Sequence, residues 1–169
     1  MTTARQKRKH RGCFTLYAVA AVAIAVSVSL FAGAASAALT ERIVVDWHTG
    51  LAIDGYDPVA FFTDRKPMPG SAAFELRHDG VVWRFRNSGN RAAFAERPDI
   101  YMPRYGGYDP VGVARGVAVA GRPNVWLIAG DRLFLFYAPA DRQKFAGDAV
   151  HFIATADRKW PQLQQTLTP

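Results

Sequence analysis

Apolar and polar positions alternate with a period of two between residues 73 and 86. Ala73-Phe74-Glu75-Leu76-Arg77 and Val82-Trp83-Arg84-Phe85-Arg86 each read as a strand, and Asp79-Gly80 between them is a tight-turn pair, so the segment predicts a β-hairpin. The alternation places Trp83 and Phe85 on the core side, with Val82, Arg84 and Arg86 on the other. Asn87-Ser88-Gly89-Asn90 is a turn and cap cluster. It predicts a helix from Arg91 to about Glu96 that turns Phe94 inward and stops at Pro98, after which Ile100 and Tyr101 continue the packing surface. Upstream, residues 38–51 form a lead-in with one short β-type run, Ile43-Val44-Val45. Asp57-Pro58 has the form of a helix start, with Asp as cap and Pro at the first helical position. Lys66-Pro67-Met68-Pro69-Gly70 keeps that helix short.

The second half repeats the plan. Gly107-Tyr108-Asp109-Pro110-Val111 copies Gly55-Tyr56-Asp57-Pro58-Val59 at an offset of 52 residues. Residues 124–128 and 132–137 flank Gly130-Asp131, a second hairpin signal. Phe136, Arg142 and Phe145 match Phe85, Arg91 and Phe94 at an offset of 51. Two distant matches at nearly one offset read as an internal duplication, with units of about 52–103 and 104–161. The chain closes on a helix-like stretch from Ala149 to about Lys159, ending at Trp160-Pro161, with residues 162–169 as a tail. The expected class is α+β: small antiparallel hairpins with short helices in two similar units, preceded by an N-terminal apolar helix.

Charge changes the picture only at the front. The chain carries a formal +7, but Arg5, Lys7, Arg8, Lys9 and Arg11 precede an uncharged apolar run from Phe14 to Ala35. The remainder, with 16 basic and 14 acidic residues, is close to neutral, and scattered arginines suit a solvated surface better than a nucleic-acid groove. A basic segment, an apolar run and Ala35-Ser36-Ala37 read as an export signal cleaved before Ala38. The run of about 22 residues also has the length of a membrane anchor. Both readings of segment 1–37 put the body outside the cytoplasm: periplasmic or otherwise extracytoplasmic, free or held at the inner membrane. The single cysteine, Cys13, lies in the leader, so the body has no disulfide, thiol nucleophile or thiolate metal site.

Candidate chemistry in the body is therefore built on oxygen and nitrogen. His48, His78 and His151 show no i, i+3 or i, i+4 pairing of the kind helical metal sites use. His78 beside its turn is expected to be exposed, and His151 in an apolar helical stretch to be packed. Asp57 and Asp109 hold equivalent places, either as two carboxylates that could act on a metal or a proton, or as two helix caps; the caps account for both without further assumption. Trp47, Tyr56, Trp83, Tyr105, Tyr108, Trp126 and Tyr137 offer either an apolar pocket or packing. Gly106-Gly107 marks a place where backbone can come close to a ligand. No serine nucleophile, phosphate loop or dinucleotide fingerprint is present.

Gly55-Tyr56-Asp57-Pro58-Val59-Ala60-Phe61-Phe62, Trp83-x-Phe85, Asn90-Arg91-x-x-Phe94-x-x-x-Pro98-x-x-Tyr101, Tyr105-Gly106-Gly107-Tyr108 and Ile153-x-x-Ala156-Asp157-x-x-Trp160-Pro161 together resemble the exported YHS-domain proteins, over nearly all of residues 52–161. The resemblance implies a small α+β domain similar to treble-clef metal-binding folds. It also implies cysteines after Asp-Pro-Val, at the turn before the helix, and after Gly-Gly-Tyr. Here those places hold Ala60, Arg86 with Asn90, and Asp109. The reading that follows is an extracytoplasmic YHS-like binding or accessory module with no catalytic residues, cofactor or metal. Its ligand-binding candidates are Tyr56, Asp57, Tyr105, Gly106, Gly107, Tyr108 and Asp109. Its partner is an unidentified small ligand or a periplasmic or membrane protein, with no nucleic acid. The alternatives are a hydrolase-like enzyme or a metal-binding protein using Asp109 with a His or Tyr, or a membrane-tethered partner of a transporter or redox protein.

Overall fold

The computed structural model describes residues 42–167. The apolar leader, its cleavage motif and Cys13 lie outside the described residues. Among the described residues no helix is long and apolar enough to cross a membrane.

The architecture is α+β, with two separate two-stranded antiparallel sheets and six α-helices among the described residues. In the first half a 3-10 turn (Ile53–Gly55) leads to α1 (Ala60–Thr63), hairpin β1 (Ser71–His78) and β2 (Val81–Phe85), then α2 (Ser88–Glu96) and α3 (Pro98–Tyr101). In the second, a 3-10 turn (Arg104–Gly107) leads to α4 (Pro110–Ala114), hairpin β3 (Arg122–Ala129) and β4 (Arg132–Phe136), then α5 (Pro139–Gly147) and α6 (Ala149–Gln165). From β1 onward, each first-half element starts 51 residues before its second-half counterpart. Even the irregularities correspond. The β1–β2 register slips between Ser71 and Glu75, and the β3–β4 register slips between Arg122 and Trp126. Asp57 N–H donates to the Met68 carbonyl and Asp109 N–H to that of Val119, while Gly70 N–H meets Gly55 and Gly121 N–H meets Gly107. The change of offset from 52 to 51 therefore falls between residues 60 and 68, where the second half is one residue shorter.

Two cores flank β4. Trp83, Phe85 and Phe94 pack with Ile43, Ile53 and Phe61 in the first. Phe134, Phe136 and Phe145 pack with Tyr105, Val113 and Ala156 in the second. Leu133 and Leu135, on the other face of β4, belong to the first core. A strand apolar on both faces is what a doubly covered position selects.

Several expectations change. The run Ile43-Val44-Val45 forms no strand: Val45 makes a single bridge to Ala52, and Val44 N–H donates to the Gly106 carbonyl at 2.8 Å. Ile43 and Val44 are nevertheless buried, so part of the lead-in is core. The last helix does not stop at Trp160-Pro161 but runs through Pro161 to Gln165, so the expected tail is partly helical. Proline removes one helical hydrogen bond, yet Phe152, Ile153, Ala156, Trp160 and Leu163 face the second core at helical spacing, and that burial outweighs the loss. His151 is exposed and not packed, since the apolar stripe passes beside it. His78, expected in solvent, is half-buried with its ring edge-on to Phe94. Trp47 stands 83% exposed and Tyr137 47%, so neither is a packing aromatic.

Candidate functional site

Among the described residues, Asp57 and Asp109 are the two charged side chains buried with the core, at 0% and 1% exposure. Asp109 Oδ1 accepts from Val111 N–H at 2.8 Å and Gly112 N–H at 3.4 Å, and Oδ2 accepts from Tyr137 N–H at 2.9 Å. Asp57 Oδ1 accepts from the N–H of Val59 and Ala60, and Oδ2 from Arg86 N–H at 2.8 Å and Asn90 Nδ2 at 2.6 Å. Each carboxylate thus caps a helical turn and ties it to the end of a hairpin 28 or 29 residues away. Burial pushes the Asp109 carboxyl up; the three N–H groups oppose this, and the nearby Asp141 adds to it. Among the described residues, no His side chain bonds either carboxylate.

Tyr56 is half-buried and bridges through its backbone to Pro69, and Tyr108 is buried and bridges to Ala120 with its ring 6.1 Å from Trp160. The Gly106-Gly107 backbone does come close to something, but that neighbour is the chain itself. Gly106 has φ 63°, and a Cβ there would sit 2.0 Å from the Arg42 carbonyl oxygen. The close approach accommodates the lead-in segment.

Tyr105 and Gly106 border an open groove of about 800 Å³. Ile43, Val81, Met102 and Trp160 supply apolar wall, and Arg42, Arg104, Arg132, Asp79 and Asp99 supply charge. The volume suits a small-molecule ligand. One wall is braced by a polar cluster. The Tyr105 hydroxyl donates to Asp157 Oδ1 at 2.8 Å, and Arg104 forms an ion pair with the same oxygen. Burial first, and Asp157 second, push the Tyr105 hydroxyl well above its ordinary value, so it remains a donor at neutral pH. Arg132 also lines the groove, with its Nε buried without a hydrogen-bond partner.

Of the seven sequence candidates, the structure brings Tyr105 and Gly106 to the groove, while Asp57, Gly107, Tyr108 and Asp109 are enclosed. Asp157 and Trp160 belonged to the quoted motif that carried the family resemblance, and their place opposite Tyr105 was the signal available. Arg42 and Arg132 gave none: one precedes an apolar run and the other follows a turn. His48, His78 and His151 lie apart, and among the described residues no three His, Cys, Asp or Glu side chains converge as metal ligands would.

The chain matches no protein-family model, no curated protein and no solved structure.

Proposed function

We propose that this protein is an exported, non-enzymatic binding module, a cysteine-free relative of the YHS-domain proteins that arose by duplication of a hairpin-helix unit. It holds a small ligand in the groove beside Tyr105 and Gly106. The observation that carries the reading is that groove: concave, part aromatic and part charged, and of ligand size. The engagement of Asp57 and Asp109 by backbone N–H groups supports binding over hydrolysis, because a general base needs a lone pair free for substrate. The recurrence of caps, bulges and core aromatics at one spacing supports duplication. The quoted motifs supply the Asp57 cap, Phe61, Trp83, Phe85 and Phe94 of the first core, and Tyr105, Ala156 and Trp160 at the second, which supports a shared scaffold whose thiol positions have changed.

The test is a fragment screen read by NMR on the chain expressed with its own leader and purified in the form that accumulates, with mass spectrometry of its N-terminus. The expected outcome is a cluster of shifts at Tyr105, Met102 and Trp160, in a protein recovered outside the cytoplasm. Turnover of an ester or amide substrate that is lost in Asp109→Asn would overturn it.

A further inference from the structure

Among the charges that line the groove, Arg132 stands out because the fold buries part of its guanidinium without a partner. Arg132 opens β4 and pairs with Ala129 across the hairpin turn, a position from which an arginine normally reaches into water. Here its side chain lies in the groove wall, with Nε buried and unbonded. Among the described residues no carboxylate lies within ion-pairing distance of it. Its neighbours do not compensate. Burial first, and the positive charge of Arg104 second, hold the Arg132 guanidinium below its ordinary value, against weaker help from Asp99 and Asp157. Arg104 is already committed to Asp157. The first half carries Val81 at the matching place, so the hairpin itself does not require an arginine there. A guanidinium whose Nε is buried with its bond unmade, and which has a like charge nearby, lowers stability unless something else completes it.

Building on the groove reading above, we propose that Arg132 pairs with the anionic end of the ligand, and that this ligand is a small monocarboxylate with an apolar or aromatic body. One planar guanidinium matches one carboxylate through two parallel hydrogen bonds. Asp79 and Asp99, also lining the groove, offset Arg42 and Arg104, so the lining carries little positive charge beyond Arg132, which favours a monoanion over phosphates and dicarboxylates. Met102, Val81 and Trp160 take the body of the molecule. Arg132 is thus a ligand-binding residue whose presence weakens the free protein.

The experiment compares phenylacetate, its neutral isostere 2-phenylethanol and phenyl phosphate on the full chain, by calorimetry and by NMR shifts at the groove, in the native protein, Arg132→Leu and Arg132→Lys. Phenylacetate should bind at least about tenfold more tightly than the alcohol. Arg132→Leu should erase that difference and melt roughly 3 °C higher than the native protein, while Arg132→Lys keeps part of the preference. Equal binding of acid and alcohol, unaffected by Arg132→Leu, would overturn the anion assignment and leave the groove reading standing. Tightest binding by phenyl phosphate would overturn the carboxylate assignment. A lower melting temperature in Arg132→Leu would make Arg132 a structural residue. No shift at the groove with any probe at about 10 mM, weaker than ordinary small-ligand affinities, would sink both readings.

Discussion

The two halves share a plan and differ in how much of it is covered. In the first hairpin, β2 turns Trp83 and Phe85 inward and leaves Val82 and Arg84 half-exposed, with Arg84 paired to Glu75 at 2.8 Å. In the second, the matching positions are Leu133 and Leu135, and both are fully buried in the first half's core. The second hairpin therefore serves two cores and the first serves one. The helices that follow differ in the same way. Pro103 holds Met102 extended and ends α3 after one turn, whereas no proline stands at the matching place and α6 runs for 17 residues across the second core. The second half thus supplies packing surface to both cores.

The sharpest way to break this comparison is to exchange the two outer faces. Leu135→Arg should cost upwards of about 4 kcal/mol or abolish folding, because it buries an unpaired charge at a fully enclosed site. Arg84→Leu should stay within about 1 kcal/mol of the native protein, since its ion pair is solvated. Equal effects in urea denaturation would show that β4 is not a shared wall.

The 3-10 turns give the next largest effect. Gly106→Ala should cost about 2–4 kcal/mol, because its Cβ meets the Arg42 carbonyl and its φ is positive. Asp54 occupies the same place in the first half, carries its Cβ at φ 56°, and is exposed. Asp54→Gly should change stability by less than about 1 kcal/mol. Thermal unfolding of the pair separates a turn that merely bends from a turn against which the lead-in is packed.

A smaller difference concerns the caps. Asn90 donates to Asp57, but its counterpart is Asp141, a like charge beside Asp109. Burial first, with a smaller push from Asp141, makes Asp109 titrate higher in the fold than in the unfolded chain. The folded state then binds more protons, and stability falls as pH rises from the ordinary aspartate range through the shifted value. Asp141→Asn should remove the repulsion and allow a donor, raising stability at pH 7 by about 1–2 kcal/mol. That gain should shrink as pH drops through the carboxylate range. Urea titrations between about pH 4 and 8 check it; a pH-independent gain would mean that the carboxylate pair is not its source.

How much of this was legible varies by element. The hairpins were legible because alternation and the Asp79-Gly80 and Gly130-Asp131 turns are local properties. So were the caps, because aspartate before proline satisfies nearby N–H groups whatever surrounds it. The repeat was legible because the same local solutions recur. The end of α6 was not, since Pro161 is a local stop signal overruled by an apolar stripe that needs a distant surface to act on. The burial of Ile43 and Val44 was hidden for a similar reason: Val44 N–H meets the Gly106 carbonyl, and Ile43 shares a core with Trp83, Phe85, Leu133 and Leu135, all distant along the chain.

The candidate site divides along the same line. Tyr105 and Gly106 could be singled out by motif, and Asp109 by its place beside them. Their fates depended on what folds against them: one hydroxyl bonded to Asp157, one glycine closed over by the lead-in, one carboxylate taken up by Val111, Gly112 and Tyr137. Arg132 carried no sequence signal because an arginine after a turn is ordinary; only the groove makes it unusual. The sequence by itself determined local geometry, the repeat and the lack of cysteine in residues 38–169, because these follow from neighbouring residues and from composition. The tertiary structure decided which faces became walls and which charge was left unpaired, because burial is set by residues that are distant along the chain.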